Sequence, residues 1–154
     1  ILAVGFAFLI TGMSLWIADK NPSENKKARD MTILDALVIG TFQGIAITPG
    51  ISRSGSTIVG GLFRGLNRKL ATEFSFLMAL PATFGAAILG IKDVVESGTE
   101  ITFSMPLLIG VILSAIVGIF SINILVGLLQ KKKLHYFSYY LWVLGIVLII
   151  AQFI

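Results

Sequence analysis

From Phe103 to Leu129 the chain runs for 27 residues without one charged side chain. Coiled as a helix at about 1.5 Å per residue, that run reaches about 40 Å, more than the ~30 Å hydrocarbon core of a bilayer. The feature makes the chain an integral membrane protein. Composition agrees: 56% of the residues are hydrophobic and 13% charged, where a soluble domain carries roughly a quarter charged.

Three more runs have the length of spanning helices, about 1–18, 70–91 and 137–154. The first carries Trp16 near its end, where an aromatic suits the membrane–water interface, and Asp19-Lys20-Asn21-Pro22 stops it. The second has Glu73 near its start and Pro81 inside it. Tyr136, Tyr139, Tyr140 and Trp142 lead into the last. The first run opens in full stride, with neither methionine nor basic n-region, so it is no signal peptide, and a preceding part of the natural protein is expected. Cysteine is absent, which removes disulfide and thiolate chemistry.

Between the first two runs lie two apolar pieces that are too short. Residues 32–48 form about 15 helical residues, or roughly 22 Å. They begin with a capping box, in which the Thr32 hydroxyl accepts from the Asp35 amide and the Asp35 carboxylate reaches back. They halt at Thr48-Pro49-Gly50, and the second piece, Ile58–Phe63, ends at Arg64-Gly65-Leu66-Asn67-Arg68-Lys69. Loop charge decides how this pair sits. A net charge of +4 is concentrated in short loops, which is the mark of membrane orientation rather than of nucleic-acid binding. Lys20, Lys26, Lys27 and Arg29 form one basic loop, Arg64, Arg68 and Lys69 a second, and Lys131-Lys132-Lys133 a third. The loop from Lys92 to Thr102 is acidic, with Asp93, Glu96 and Glu100. All three basic loops share one side only when residues 32–66 enter and leave the bilayer from that side. The expected fold is therefore all-α, with spanning helices around a re-entrant helical hairpin at about 32–66. Gly40-xxx-Gly44 and Gly61-xxx-Gly65 offer small-residue seams for that hairpin.

The hairpin tip reads Pro49-Gly50-Ile51-Ser52-Arg53-Ser54-Gly55-Ser56-Thr57. Pro49-Gly50 ends one helix, and Ser54 to Thr57 read as the start of the next. First-turn amides lack intrahelical acceptors, and the helix dipole favours an anion there. Four hydroxyls add donors, and the Arg53 guanidinium is a planar fork that fits two phosphate oxygens. Phosphate or diphosphate binding follows from that set. The competing explanation is plain capping by the hydroxyls, with Arg53 snorkelling to the interface or paired with a carboxylate. No lysine follows the glycines at the spacing of a P-loop.

The run Gln43 to Thr57 resembles the second signature of the undecaprenyl-diphosphate phosphatase family, the bacitracin-resistance proteins. Its pattern, Pro-Gly-x-Ser-Arg-Ser-x-x-Thr, is met at every fixed position, and Gly65 to Lys69 and Glu73 to Pro81 are similar as well. The resemblance implies a multi-pass hydrolase of the bacterial inner membrane. It would cleave the C55 isoprenyl diphosphate to the monophosphate that carries cell-wall precursors, and bacitracin resistance follows from that recycling. It also implies two inverted repeats and a site facing the outer side, the side on which loop charge places the hairpin tip. The family's Glu-x-x-x-Glu signature and nearby histidine are absent: the spacing here is Gln43-x-x-x-Ile47. The chain thus reads as the second repeat, with the base or nucleophile and the carboxylates for Mg²⁺ or Ca²⁺ upstream, and no metal ligand of its own.

Within this reading Arg53, Ser52 and Thr57 are the catalytic candidates, as clamp and hydrogen-bond donors. Ser54, Ser56, Gly50, Gly55 and Gln43 are phosphate-binding candidates, with Gln43 an orienting group. Glu73 is expected to pair with Lys69 at i,i+4, and His135, after three lysines, to be interfacial. The partners are a polyprenyl diphosphate and the bilayer, with a homodimer admitted and no nucleic acid. A rival is a lipid-phosphate flippase or anion transporter, since broken helices also build transporters. A half that only binds lipid or a partner chain is a third.

Overall fold

A computed structural model describes residues 2–20, 25–98, 105–131 and 133–152. Asn21-Pro22 of the first helix stop, Glu100 of the acidic loop, Phe103 and Lys132 lie outside the described residues. Within them the chain is all-helical: α1 (Leu2–Lys20), α2 (Ile33–Ile45), α3 (Arg53–Phe63), α4 (Arg68–Glu96), α5 (Met105–Gln130) and α6 (His135–Ala151), with one 3-10 turn at Ala28–Asp30. The helices α1, α4 and α5 are long and apolar enough to cross a membrane.

The shorter helices α2 and α3 form a hairpin closed at its base. The capping box over Thr32 and Asp35 is present: the Asp35 amide donates to Thr32 Oγ1 at 3.3 Å, and the Thr32 amide to Asp35 Oδ2 at 2.9 Å. The fully buried Asp35 does more than cap. Lys26 Nζ donates to both its oxygens at 2.8 and 2.9 Å, and Arg64 Nε to Oδ1 at 2.7 Å. A backbone bridge between Lys26 and Leu66 lies beside this cluster. The chain therefore enters and leaves the hairpin at one level. Among described groups outside the spanning helices, Asp35 has its carboxyl held well below the ordinary range, chiefly by Lys26 and then by Thr32 and Arg64, against the opposing pull of burial.

The glycine seams differ from expectation. A Cβ on Gly40 or Gly44 would meet nothing within 4 Å, whereas Gly60 faces the Phe42 ring at 3.1 Å and Gly61 faces Ala71 of α4 at 3.0 Å. The reason is rotational: Asp35, Ile39 and Phe42 are spaced along one stripe of α2 that turns inward, and Gly40 and Gly44 fall on the other face. α3 is the central element, with Thr57 through Leu62 buried between α1, α2 and α4.

α1 and α6 run antiparallel at close range. A Cβ on Gly5 would lie 2.7 Å from Ile149, and one on Gly145 would lie 2.9 Å from the Gly5 carbonyl, so glycine is what permits the approach. Below that seam Asp19 gathers three elements. Arg68 Nη1 donates to Asp19 Oδ1 at 2.6 Å, and His135 contributes its amide at 3.2 Å and Nδ1 at 2.8 Å to Oδ2. His135 is thus tied into an ionic joint at the helix ends.

Two boundaries move relative to the sequence reading. α4 continues past Ile91 through Lys92, Asp93 and Glu96 before Gly98, at φ +64°, turns the chain. The Lys92–Glu96 pair at i,i+4, 3.6 Å apart, suits an exposed last turn, so charge there marks the end of the apolar run and not of the helix. Likewise α3 starts at Arg53, one residue ahead of the expected Ser54, because Ser52 is its N-cap.

Candidate active site

The tip of the hairpin is built by two local devices. Gly50 takes φ +92°, a region closed to most side chains, and packs against α1, where a Cβ would sit 2.9 Å from Ala7 Cβ and from the Val4 carbonyl. Ser52 then caps α3, its Oγ accepting from the Gly55 amide at 3.1 Å. The Arg53 and Ser54 amides in that first turn find no acceptor among the described residues.

Arg53 is exposed, and its guanidinium makes no ion pair or hydrogen bond within the described residues. It lines a pocket of about 260 Å³ with Ser54 and Thr57 of α3 and Ser75, Phe76 and Ala79 of α4. No carboxylate borders that pocket among the described residues. Thr57 is buried and already engaged: its hydroxyl contacts the Arg53 carbonyl at 3.0 Å, the Ser54 carbonyl at 3.1 Å, and Ser75 Oγ. The Thr57 group therefore braces α3 against α4 and shapes the pocket floor from there.

The motif does not converge on one cavity. Arg53, Ser54 and Thr57 face α4. Ser52, Ser54 and Gly55 edge an apolar groove toward α6. Ser56 and Gly55 instead line a small cleft with Thr11 and Ser14 of α1 and Phe42 of α2. The Arg53 pocket lies on the side of α3 that carries Ser54 and Thr57, whereas Ser56, about 160° around the axis from Ser54, turns toward α1. Gln43 does not line the Arg53 pocket, and its side-chain oxygen is buried without a partner among the described residues. Glu73 pairs loosely with Lys69, at 3.8 Å and more than half exposed. Such a pair contributes little.

Ser75 was not singled out in the sequence as a site residue. Its heptad offset from Arg68, another buried residue of α4, was the available signal. The joints in which Asp19 and Asp35 accept were also missed, because three of their four partners lie 29 to 116 residues away and Lys26 lies 9 residues away across a turn.

A divalent cation of the Mg²⁺ or Ca²⁺ kind needs several oxygen ligands, commonly carboxylates. The pocket offers hydroxyls and a guanidinium, and Asp19 and Asp35 are held elsewhere by cations. No cluster of three potential His, Cys, Asp or Glu ligands occurs among the described residues. The side chains here do not fit such an ion. They fit an anion: a free planar cation, two free amides and small hydroxyls around one opening.

Comparison with known proteins gives the same direction. The model of the family described as "Bacitracin resistance protein BacA" matches residues 1–147. An undecaprenyl-diphosphatase of Alkaliphilus metalliredigens is 49% identical over 97% of this chain and 54% of its own length. Those of Carboxydothermus hydrogenoformans and Halothermothrix orenii are 43% and 44% identical, over 97% and 96% of this chain and 58% and 57% of theirs. The chain spans a little over half the length of these curated relatives.

Proposed function

The chain belongs to the bacitracin resistance protein family, and from that premise we propose that it supplies the phosphate-gripping part of an undecaprenyl-diphosphate phosphatase. The reaction is hydrolysis of the diphosphate anhydride, giving the C55 monophosphate and inorganic phosphate. One observation carries this reading: Arg53 stands without a partner among the described residues, beside a pocket of about 260 Å³ at the tip of a helical hairpin.

In this mechanism the Arg53 fork holds two oxygens of the phosphoryl group that is transferred, and stabilises the charge that builds there. The amides of Arg53 and Ser54 add fixed donors at the positive end of α3. Ser52 retains a hydroxyl proton for a phosphate oxygen while capping the helix. Thr57 acts through Ser75, keeping the first turn of α3 in register with α4. No histidine or carboxylate borders the pocket among the described residues, so the base that activates water and any Mg²⁺ or Ca²⁺ ligands are, in this proposal, supplied from outside the described residues. No step is assigned to the ion.

The chain is a multi-pass membrane protein, and we place it in the bacterial inner membrane with the hairpin re-entrant. Both buried ionic joints, at Asp19 and at Asp35, sit with the basic loops at one end of the bundle. Positive charge favours the cytoplasmic side, which leaves the tip opening outward. The test is phosphate release from undecaprenyl diphosphate by the complete protein in detergent. Release supports hydrolysis. Translocation of the lipid without release would replace the proposal by a flippase.

A further inference from the structure

Ser54 belongs to two adjoining cavities of different character. On one side is the Arg53 pocket, and on the other a groove of about 240 Å³ toward α6. That groove is walled by Leu15, Ile58, Leu125, Phe137, Tyr140 and Leu141, and its polar edge is the Ser52–Ser54 end. Leu15 and Ile58 are buried, whereas Tyr140 is 64% exposed and stands at the mouth. A cation-lined pocket and an apolar groove that meet at one small serine match an amphiphile whose charged head is joined directly to its chain.

We propose that this groove holds the first isoprene units of the prenyl diphosphate whose head is gripped at Arg53. The inference rests on the hydrolytic reading and extends it to substrate selection. In a prenyl diphosphate no spacer separates the phosphate oxygen from the first carbon. With the terminal phosphoryl group on Arg53, the second phosphate reaches Ser54 and the first carbon follows it directly at the head of the groove. A glycerophospholipid places a glycerol and two chains there, whereas the polar side chains on the described lining are Ser52, Ser54 and the Tyr140 hydroxyl. In lipid the chain gains by close packing of its methyl branches against Phe137 and Leu141 rather than by removal from water. Chain recognition is thereby separate from phosphate recognition.

The test uses the complete protein in nanodiscs and a polyprenyl diphosphate bearing a photoreactive group on its first isoprene units. Label mapped by mass spectrometry is expected between Phe137 and Leu141, removable by unlabelled undecaprenyl diphosphate but not by phosphatidylglycerol. Leu141→Trp, which fills the groove, should cut the labelling at least tenfold and raise KM for the C55 substrate about tenfold, with kcat within twofold. Label on the outer faces of α4 and α5, or label removed equally by phosphatidylglycerol, overturns the assignment. The two levels separate cleanly. Phosphate release with label elsewhere sinks the groove alone, whereas absence of release from both C55 and short prenyl diphosphates sinks the hydrolytic reading.

Discussion

Asp35→Asn tests whether the base of the hairpin is what positions its tip. The buried carboxylate receives two bonds from Lys26, one from Arg64 and two from Thr32, all between 2.7 and 3.0 Å. Asparagine keeps one acceptor oxygen and turns an amide donor toward groups that are themselves donors. Breaking a buried ion pair costs about 3–5 kcal/mol. Lys26 and Arg64 are 28% and 32% exposed, so water recovers part of their solvation. Discounting for that leaves ~2–4 kcal/mol, a factor of about 30 to 1,000 in the opening equilibrium. The chain has no cysteine, so Val59→Cys, at a position 1% exposed between α1, α2 and α3, is a clean reporter. Maleimide labelling of that thiol should accelerate by the same factor when Asp35→Asn is added, under conditions where reclosing is faster than labelling. The pH dependence has a fixed sign. A carboxyl whose folded pKa is depressed stabilises fully above the unfolded value near 3.9 and loses that contribution as pH falls through the folded one. The protection of the Asp35 protein should thus hold from about pH 8 to pH 5 and fade only below about pH 4, while the variant shows no such titration. A labelling ratio within threefold at pH 7 would refute the idea that this cluster closes the hairpin.

Three other substitutions probe the tip. Arg53→Lys keeps the charge and loses the fork, so kcat/KM of the complete protein should fall at least ~100-fold, with stability unchanged within about 0.5 kcal/mol because the side chain has no described partner. Near-normal turnover removes Arg53 from the mechanism. Gly50→Ala meets both a positive φ and contacts at 2.9 Å, and should destabilise by ~1–3 kcal/mol in detergent unfolding; an unchanged midpoint contradicts the described turn. Thr57→Val strips Ser75 of its nearest partner and should cost about 1–2 kcal/mol, with Thr57→Ser restoring most of it. Equal stability of the two variants would mean that the hydroxyl bond does not brace α3.

The sequence displayed the all-helical membrane class, the short paired helices and the Thr32–Asp35 cap, because those follow from run length and local spacing. It also pointed to Arg53, whose isolation among apolar residues is a local property. What it concealed are relations set by rotation and by distance. Whether Ser56 shares a cavity with Arg53 depends on where α3 begins, a matter of one or two residues around the Ser52 cap. That Gly60 rather than Gly40 faces the hairpin seam depends on which stripe of α2 carries Phe42 inward. Thr57 read as a free donor, but its hydroxyl is taken up by the Arg53 and Ser54 carbonyls of its own first turn and by Ser75, which arrives from a different helix. The ionic joints escaped for the same reason.

The distribution of those joints bears on why the tip would suit an anion. Asp19 answers Arg68 and His135, and Asp35 answers Lys26 and Arg64, all at one end of the bundle. The 11 residues of α3 carry the chain about 16 Å along its axis from that end to Arg53. Along this span the described contacts are apolar or hydroxylic, and no carboxylate follows the guanidinium to the tip. Under the re-entrant placement proposed above, this exposed guanidinium has no counter-charge among the described residues, which is costly wherever lipid limits its access to water. The cost falls when an anion enters. A diphosphate arriving at Arg53 therefore gains a partner that no side chain competes for, whereas a carboxylate engineered beside the pocket would occupy the fork in its absence. Ala79→Asp, on the far wall of that pocket, supplies such a rival. It should raise KM for the diphosphate at least ~10-fold, and Arg53→Lys in the same protein should then do less harm than it does alone, because the two changes act on one interaction. Additive losses in kcat/KM would show that the guanidinium and the anion do not meet at this pocket.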